Sequence, residues 1–211
     1  MTNSIYFFRH GESVANAGGV TVDNASIDLT QKGVEQAKSL ARFFTEPPHQ
    51  VISSPYLRAR KTAENALAAY PGVTIDTWPI IREFSYLSLR EGTTMKERLP
   101  LVKEYWDKAN PDYRDGSEVE TFRDFISRVD AVRVEICSLL EQKKSVAFFG
   151  HGIFMNALRW RTSNDLDDIT NASMRSCREY DLNTPIANGA GFRCQLAADS
   201  LQFYDLRMEN A

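Results

Sequence analysis

The chain has 211 residues, enough for one good core, with 43% hydrophobic and 25% charged residues. No run of 18 or more apolar residues is present, which argues against a membrane span. The formal net charge of −3 argues against wholesale nucleic-acid or acidic-membrane binding, although a pocket for a small anion needs only local positive charge.

Ile5 to Phe8 is a short apolar run and reads as a buried strand. It leads into Arg9-His10-Gly11-Glu12, where the glycine is expected to let the backbone turn sharply. Residues 13–28 are a polar loop. Thr30 can cap a helix whose apolar face is Val34, Ala37, Leu40, Ala41 and Phe44. Pro47-Pro48 ends it, and Gln50 to Ser53 reads as a strand. Ser54-Pro55 reads as an N-cap followed by proline at the first helical position, with the helix running to about Tyr70. A strand is expected over Val73 to Thr77. Residues 78–95 look irregular, and Lys96 to Ala109 helical with a break near Pro100. Ser117 with Glu120 reads as a capping box. The long helix beyond it carries Phe122, Phe125, Ile126, Val129, Val132, Ile136, Leu139 and Leu140 on one face.

Val146 to Phe149 is a second apolar run, and it leads into Gly150-His151-Gly152 and a helix to about Arg161. Residues 162–184 are polar and ambiguous. Ile186 to Leu196 and Leu201 to Leu206 read as a hairpin around Ala198-Asp199. Strands alternating with helices predict an α/β fold: three layers, α/β/α, with a mostly parallel central sheet and an antiparallel C-terminal edge. Residues 1–211 read as one domain, with a helical cap-like insertion over roughly residues 79–115. Cys137, Cys177 and Cys194 are odd in number and without paired spacing, and the amino terminus enters a strand directly. Both features predict a reducing, cytoplasmic setting.

The pattern Phe-Phe-x-His-Gly thus occurs twice, and it uses two of the three histidines. Each histidine is expected just past the carboxyl end of a strand, where open α/β sheets bind their ligands. His10 and His151 could therefore face each other across one pocket. The third, His49, follows Pro47-Pro48 in a loop and reads as exposed.

At Arg9-His10-Gly11-Glu12 and Ser54 to Ala63, with Arg58 on the first turn of its helix, the sequence resembles the histidine phosphatase superfamily, which includes the cofactor-dependent phosphoglycerate mutases. Leu29-Thr30 with Gly33 and Gln36-Ala37, Gly116 to Glu118, and His151-Gly152 resemble further family motifs in the same order. The resemblance implies a metal-independent phosphatase of small phosphomonoesters acting through a phosphohistidine intermediate. His10 would be the nucleophile. Arg9, Arg58 and His151 would surround the phosphate oxygens, and Asn16 would add a neutral donor. Glu83 matches the family's acid position and would protonate the leaving group, then activate water. The family often has a glycine three residues after this acid, where this chain has Tyr86. Glu12 would brace its loop.

The resemblance implies no cofactor and no metal. It implies a small phosphorylated metabolite as partner, no nucleic acid, no membrane, and a monomer or homodimer. A phosphoglycerate mutase-type phosphotransferase and a protein phosphohistidine or phosphotyrosine phosphatase are the alternatives. The 67 residues between Glu83 and His151 are shorter than in familiar mutases and favour hydrolysis. The smallest phosphohistidine phosphatases of the family lack a substantial cap. A non-catalytic member would be expected to lack one of Arg9, His10, Arg58 or His151, and all four are present. Arg82, Arg90, Lys96, Arg98 and Arg114 lie in or near the insertion, and the sequence does not choose among them for substrate contact.

Overall fold

The computed structural model describes residues 4–88, 92–142, 144–197 and 200–207. Six strands form one sheet: β1 (Ile5–Arg9), β2 (Gln50–Ser53), β3 (Ile75–Thr77), β4 (Val146–Gly150), β5 (Gly191–Ala197) and β6 (Ser200–Asp205), in the order β3-β2-β4-β1-β5-β6. β1, β2, β3 and β4 run parallel, and β5 and β6 add the antiparallel edge. Residues Ala198 and Asp199, where the sequence predicts the hairpin turn, lie outside the described residues.

Alternate strand residues point to opposite faces of the sheet. Phe7, Ile52, Phe148 and Phe192 pack against α4 (Phe122–Glu141) and α5 (Gly152–Ser163). Phe8, Val51, Ala147 and Phe149 pack against the layer of α1 (Gln31–Ser39) and α2 (Leu57–Ala66). These are the three layers expected. All eight expected apolar residues of α4 are buried.

Several local expectations are corrected. The helix after Ser54-Pro55 starts at Leu57 and ends at Ala66, and its N-cap Tyr56 makes no side-chain cap bond. Ser54 lies two residues before that N-cap, where its hydroxyl accepts the Tyr56 N–H at 3.3 Å and lies 2.7 Å from His151 Nε2, 97 residues away. The cap before α4 is a box of Thr121 with Asp124, not Ser117 with Glu120; Glu120 is buried against Arg128 instead. Over the insertion, α3 (Met95–Lys108) runs without a break through Pro100, capped by Thr94 and Glu97. The proline removes one donor to the Lys96 carbonyl, and the remaining ladder holds the helix. The ambiguous stretch holds α6 (Asn171–Asn183), capped by Thr170. Among the described residues, no helix is long and apolar enough to cross a membrane.

Candidate active site

β1 and β4 are direct parallel neighbours, and Phe7, Phe8 and Arg9 pair with Phe148, Phe149 and Gly150. The two copies of the repeated pattern therefore lie side by side in register. Phe7 stacks on Phe148 at 4.7 Å and Phe8 on Phe149 at 5.4 Å. Beyond the last paired residues the chains leave the sheet, and the rings of His10 and His151 come within 5.3 Å. Both are buried.

Gly11 does not make the sharp turn expected of it, since it has no positive φ. It is required for close approach. A Cβ there would lie 2.2 Å from the Gly33 carbonyl oxygen, and one on Gly33 would lie 2.0 Å from the Glu12 carbonyl oxygen. The start of α1 thus presses directly on the loop that carries His10. Glu12 braces the same contact, accepting from Lys32 at 2.8 Å and from Thr30 at 3.0 Å.

The two rings meet different partners. His10 Nδ1 donates to the Gly11 carbonyl at 2.7 Å, and Nε2 accepts from Arg58 Nε at 3.1 Å. This pair of contacts fixes the proton on Nδ1 and the lone pair on Nε2. For His151, Nε2 lies 2.7 Å from Ser54 Oγ, which itself accepts the Tyr56 N–H. Nδ1 of His151 is buried and has no partner among the described residues. Burial, and then the nearby Arg58 cation, push the pKa of both histidines well below the usual value, so both rings are neutral at pH 7.

Arg9 ends β1, and its Nη1 donates to the Ile186 carbonyl at 2.5 Å; its buried Nε has no partner among the described residues. Gly152 begins α5 against this arginine, and a Cβ there would sit 3.3 Å from Arg9 Nε. Arg58 donates to the Asn24 carbonyl at 2.7 Å and lies over the Tyr56 ring at 4.9 Å. Asn16 accepts through Oδ1 from Ser13 N, Ser13 Oγ and Asn188 Nδ2, which leaves its Nδ2 as a donor.

Glu83 sits on the amino terminus of α5. Its carboxylate accepts from Phe84 N at 2.9 Å, Ile153 N at 3.2 Å and Phe154 N at 3.0 Å. Burial raises its pKa, and the backbone N–H groups and the Arg58 cation oppose that rise. Below it, Arg128 makes a bidentate pair with Glu120 at 2.8 and 2.6 Å. Arg128 also donates to the carbonyls of Ile80, Arg82 and Glu83. The segment carrying Glu83 is clamped from both sides.

Arg9, His10, Asn16, Arg58 and Glu83 line one cleft of about 510 Å³, a volume usual for small-molecule sites. Of the insertion's basic residues, Arg98 lines it. Arg82 pairs with Glu120, Arg114 with Asp124, Lys96 is exposed, and Arg90 lies outside the described residues. Tyr86 replaces the family's frequent glycine by an aromatic wall, packed on Phe84, Tyr105 and Trp106.

Sequence reasoning misses Ser54, which orients His151, and Asn188, which donates to the His10 carbonyl at 3.1 Å and to Asn16. Asn188-Gly189 is a turn dipeptide, and Gly189 has φ +70°, so that signal is present in the chain. Arg128, and Asp181 of α6, which lines the same cleft and accepts from Asn156 Nδ2 at 2.9 Å, carry no comparable local signal.

A family model described as "Histidine phosphatase superfamily (branch 1)" matches residues 5–183. An adenosylcobalamin/alpha-ribazole phosphatase from Salmonella typhimurium is 39% identical over 64 residues, which are 30% of this chain and 32% of the relative. The match thus spans about a third of that protein. Among solved structures, the alpha-ribazole phosphatase from Shigella flexneri superposes with a TM-score of 0.73 at 19% identity, covering 98% of this chain and 100% of that one. A phosphoserine phosphatase from Entamoeba histolytica gives 0.73 at 16% identity, covering 98% of each chain. These structures share the fold.

Proposed function

The chain belongs to the histidine phosphatase superfamily, and on that premise we propose that it is a metal-independent phosphoric monoester hydrolase acting on small phosphomonoesters. The observation that carries the reading is the ring of His10. Its Nδ1 is tied to the Gly11 carbonyl, and its Nε2 lone pair lies beside Arg58 in the cleft. That is a nucleophile held in its reactive tautomer, next to a cation suited to phosphate oxygens.

In the first step Nε2 of His10 attacks phosphorus, and the bond from phosphorus to the ester oxygen breaks. Glu83, whose pKa burial raises, gives a proton to the departing alkoxide. Arg9, Arg58 and the Nδ1–H of His151 neutralise the transferring phosphoryl oxygens, with Asn16 Nδ2 as a further donor. In the second step Glu83 takes a proton from water, water oxygen attacks phosphorus, and the phosphorus–nitrogen bond breaks. Inorganic phosphate leaves, and His10 is again neutral.

A mutase must retain its phosphoenzyme against water and turn its substrate over, which calls for a closed, basic cap. Of the insertion's described cations, Arg98 alone lines the cleft, and this supports hydrolysis. The relatives' names share a phosphatase reaction and differ in the alcohol released, so they support the reaction class and leave the alcohol to be read from the cleft.

The test is phosphate release from a panel of phosphomonoesters in EDTA, with His10→Ala alongside. Release by the unmodified protein alone supports the proposal. No release, with a label transferable to His10 from a bisphosphorylated sugar acid, would support the mutase in its place.

A further inference from the structure

Beyond the phosphate end, the cleft is walled by hydrocarbon. Met95, Leu99 and Val102 recur at helical spacing on α3, and all three line the cleft. Such a stripe is normally buried against a neighbouring element. Here Met95 is 47% and Leu99 57% exposed. Across from them, Leu182 at the end of α6 is 61% exposed, and Pro185 and Ile186 continue the wall. The same collar extends to the loop after β1. Thr21 bridges to Thr93 at the start of α3, and its neighbours Val20 and Val22 are exposed.

The two other cations of the cleft are already engaged. Nη1 of Arg98 donates to Thr21 Oγ1 at 2.9 Å, to the Thr93 carbonyl at 2.8 Å and to Thr93 Oγ1 at 2.9 Å. Arg178 is paired with Asp181 at 2.8 Å and lies over the Trp106 ring at 4.9 Å. The aliphatic side chains stand open to a volume much larger than a phosphoryl group, and they are continuous with the end that holds Arg9, His10 and Arg58.

We propose that the space between α3 and α6 is a leaving-group subsite for a bulky, uncharged, largely apolar alcohol, so that the substrates are phosphomonoesters of ring-bearing or branched alcohols rather than of small carboxylated ones. The proposal rests on the phosphatase reading and narrows it. The alcohol buries the stripe of α3 and the wall at Leu182, gaining in binding what those side chains lose by standing in water.

The test compares two primary alkyl esters with similar leaving groups, cyclohexylmethyl phosphate and 3-phosphoglycerate. The subsite requires kcat/KM to favour the cyclohexylmethyl ester by roughly tenfold or more. Leu99→Ser and Leu182→Ser, both at exposed positions, should each reduce that preference roughly fivefold, mainly through KM. Val134→Ser, on the exposed face of α4, should leave it unchanged. A preference for 3-phosphoglycerate that Arg98→Gln abolishes would overturn the proposal while leaving the phosphatase reading in place.

Binding of cyclohexylmethyl phosphate to the His10→Ala protein, measured by calorimetry against inorganic phosphate, reads the subsite without turnover. Affinity no better than phosphate, or unaffected by Leu99→Ser, would overturn it. If no ester is hydrolysed but this binding exceeds that of phosphate and weakens with Leu99→Ser, the phosphatase reading falls and the subsite stands.

Discussion

Phe7–Gly11 and Phe148–Gly152 carry the same residue pattern, lie in register on adjacent strands and bring the two histidine rings within 5.3 Å, yet the ring nitrogens meet different partners. His10 is tied at Nδ1 by its own next residue and offers Nε2. His151 meets Ser54 on the loop after β2 at Nε2 and leaves Nδ1 without a partner among the described residues. Under the proposed mechanism, one ring presents a lone pair and the other a hydrogen. A repeated motif places both side chains, and distant partners set them apart.

The largest consequence of this difference is expected from deletion of the rings. Under the proposed mechanism, we predict that His10→Ala lowers kcat by roughly 10⁴-fold or more and abolishes phosphoenzyme labelling, because no attacking atom remains. His151→Ala should lower kcat by roughly 10²- to 10³-fold and leave labelling detectable, as expected for the loss of one charge-stabilising donor. Equal losses, measured by steady-state rates and acid-quenched labelling, would erase the distinction between the two copies.

Ser54→Ala sharpens the comparison further. Without the serine hydrogen, His151 is free to move its proton to Nε2. We expect kcat to fall by about three- to tenfold with KM for phosphate esters nearly constant, and Ser54→Thr to restore most of it. A fall in KM and kcat together, or no rescue by threonine, would reduce Ser54 to a packing residue.

The smallest effect is one of stability. Both rings have pKa values lowered on folding, so below their unfolded value of about 6.5 the unfolded chain binds more protons than the folded one. Stability should therefore be full above about pH 6.5 and decline as pH falls below it, by up to ~1.4 kcal/mol per pH unit for each buried ring. The double variant His10→Asn with His151→Asn should flatten that limb in denaturant titrations at successive pH values. A limb unchanged in the double variant would assign it to other groups.

Part of this site is legible in the sequence, because Arg9, His10 and His151 follow short apolar runs that read as strands, and the order of the strands brings them together. The parts that are not legible depend on contacts across long sequence distances. Ser54-Pro55 has the composition of a helix start, but the helix begins at Leu57, and the serine also meets a histidine 97 residues on that no local pattern reveals. Ser117 and Glu120 have the spacing of a capping box, but Glu120 is buried against Arg128, a partner that spacing alone does not reveal. α6 buries only Ser173, Met174 and Cys177, so it leaves little apolar periodicity to detect, although it supplies Arg178 and Asp181 to the cleft.

The clamp on Glu83 has a consequence for the order of assembly. Its backbone is held by Arg128 from α4 and its carboxylate by the first turn of α5. The acid thus reaches its place only after a helix 45 residues downstream and another 70 residues downstream have both docked. His10 and His151 lean on other neighbours: the pairing of β1 with β4, the start of α1, Arg58 of α2, Asn188 and the loop after β2. Under the proposed mechanism, a chain in which these neighbours have docked but α4 is not yet seated against the Glu83 segment would hold the nucleophile without its proton donor. Full competence and the completion of folding then coincide, and transient local opening of the segment in the native state would silence turnover while sparing phosphate binding.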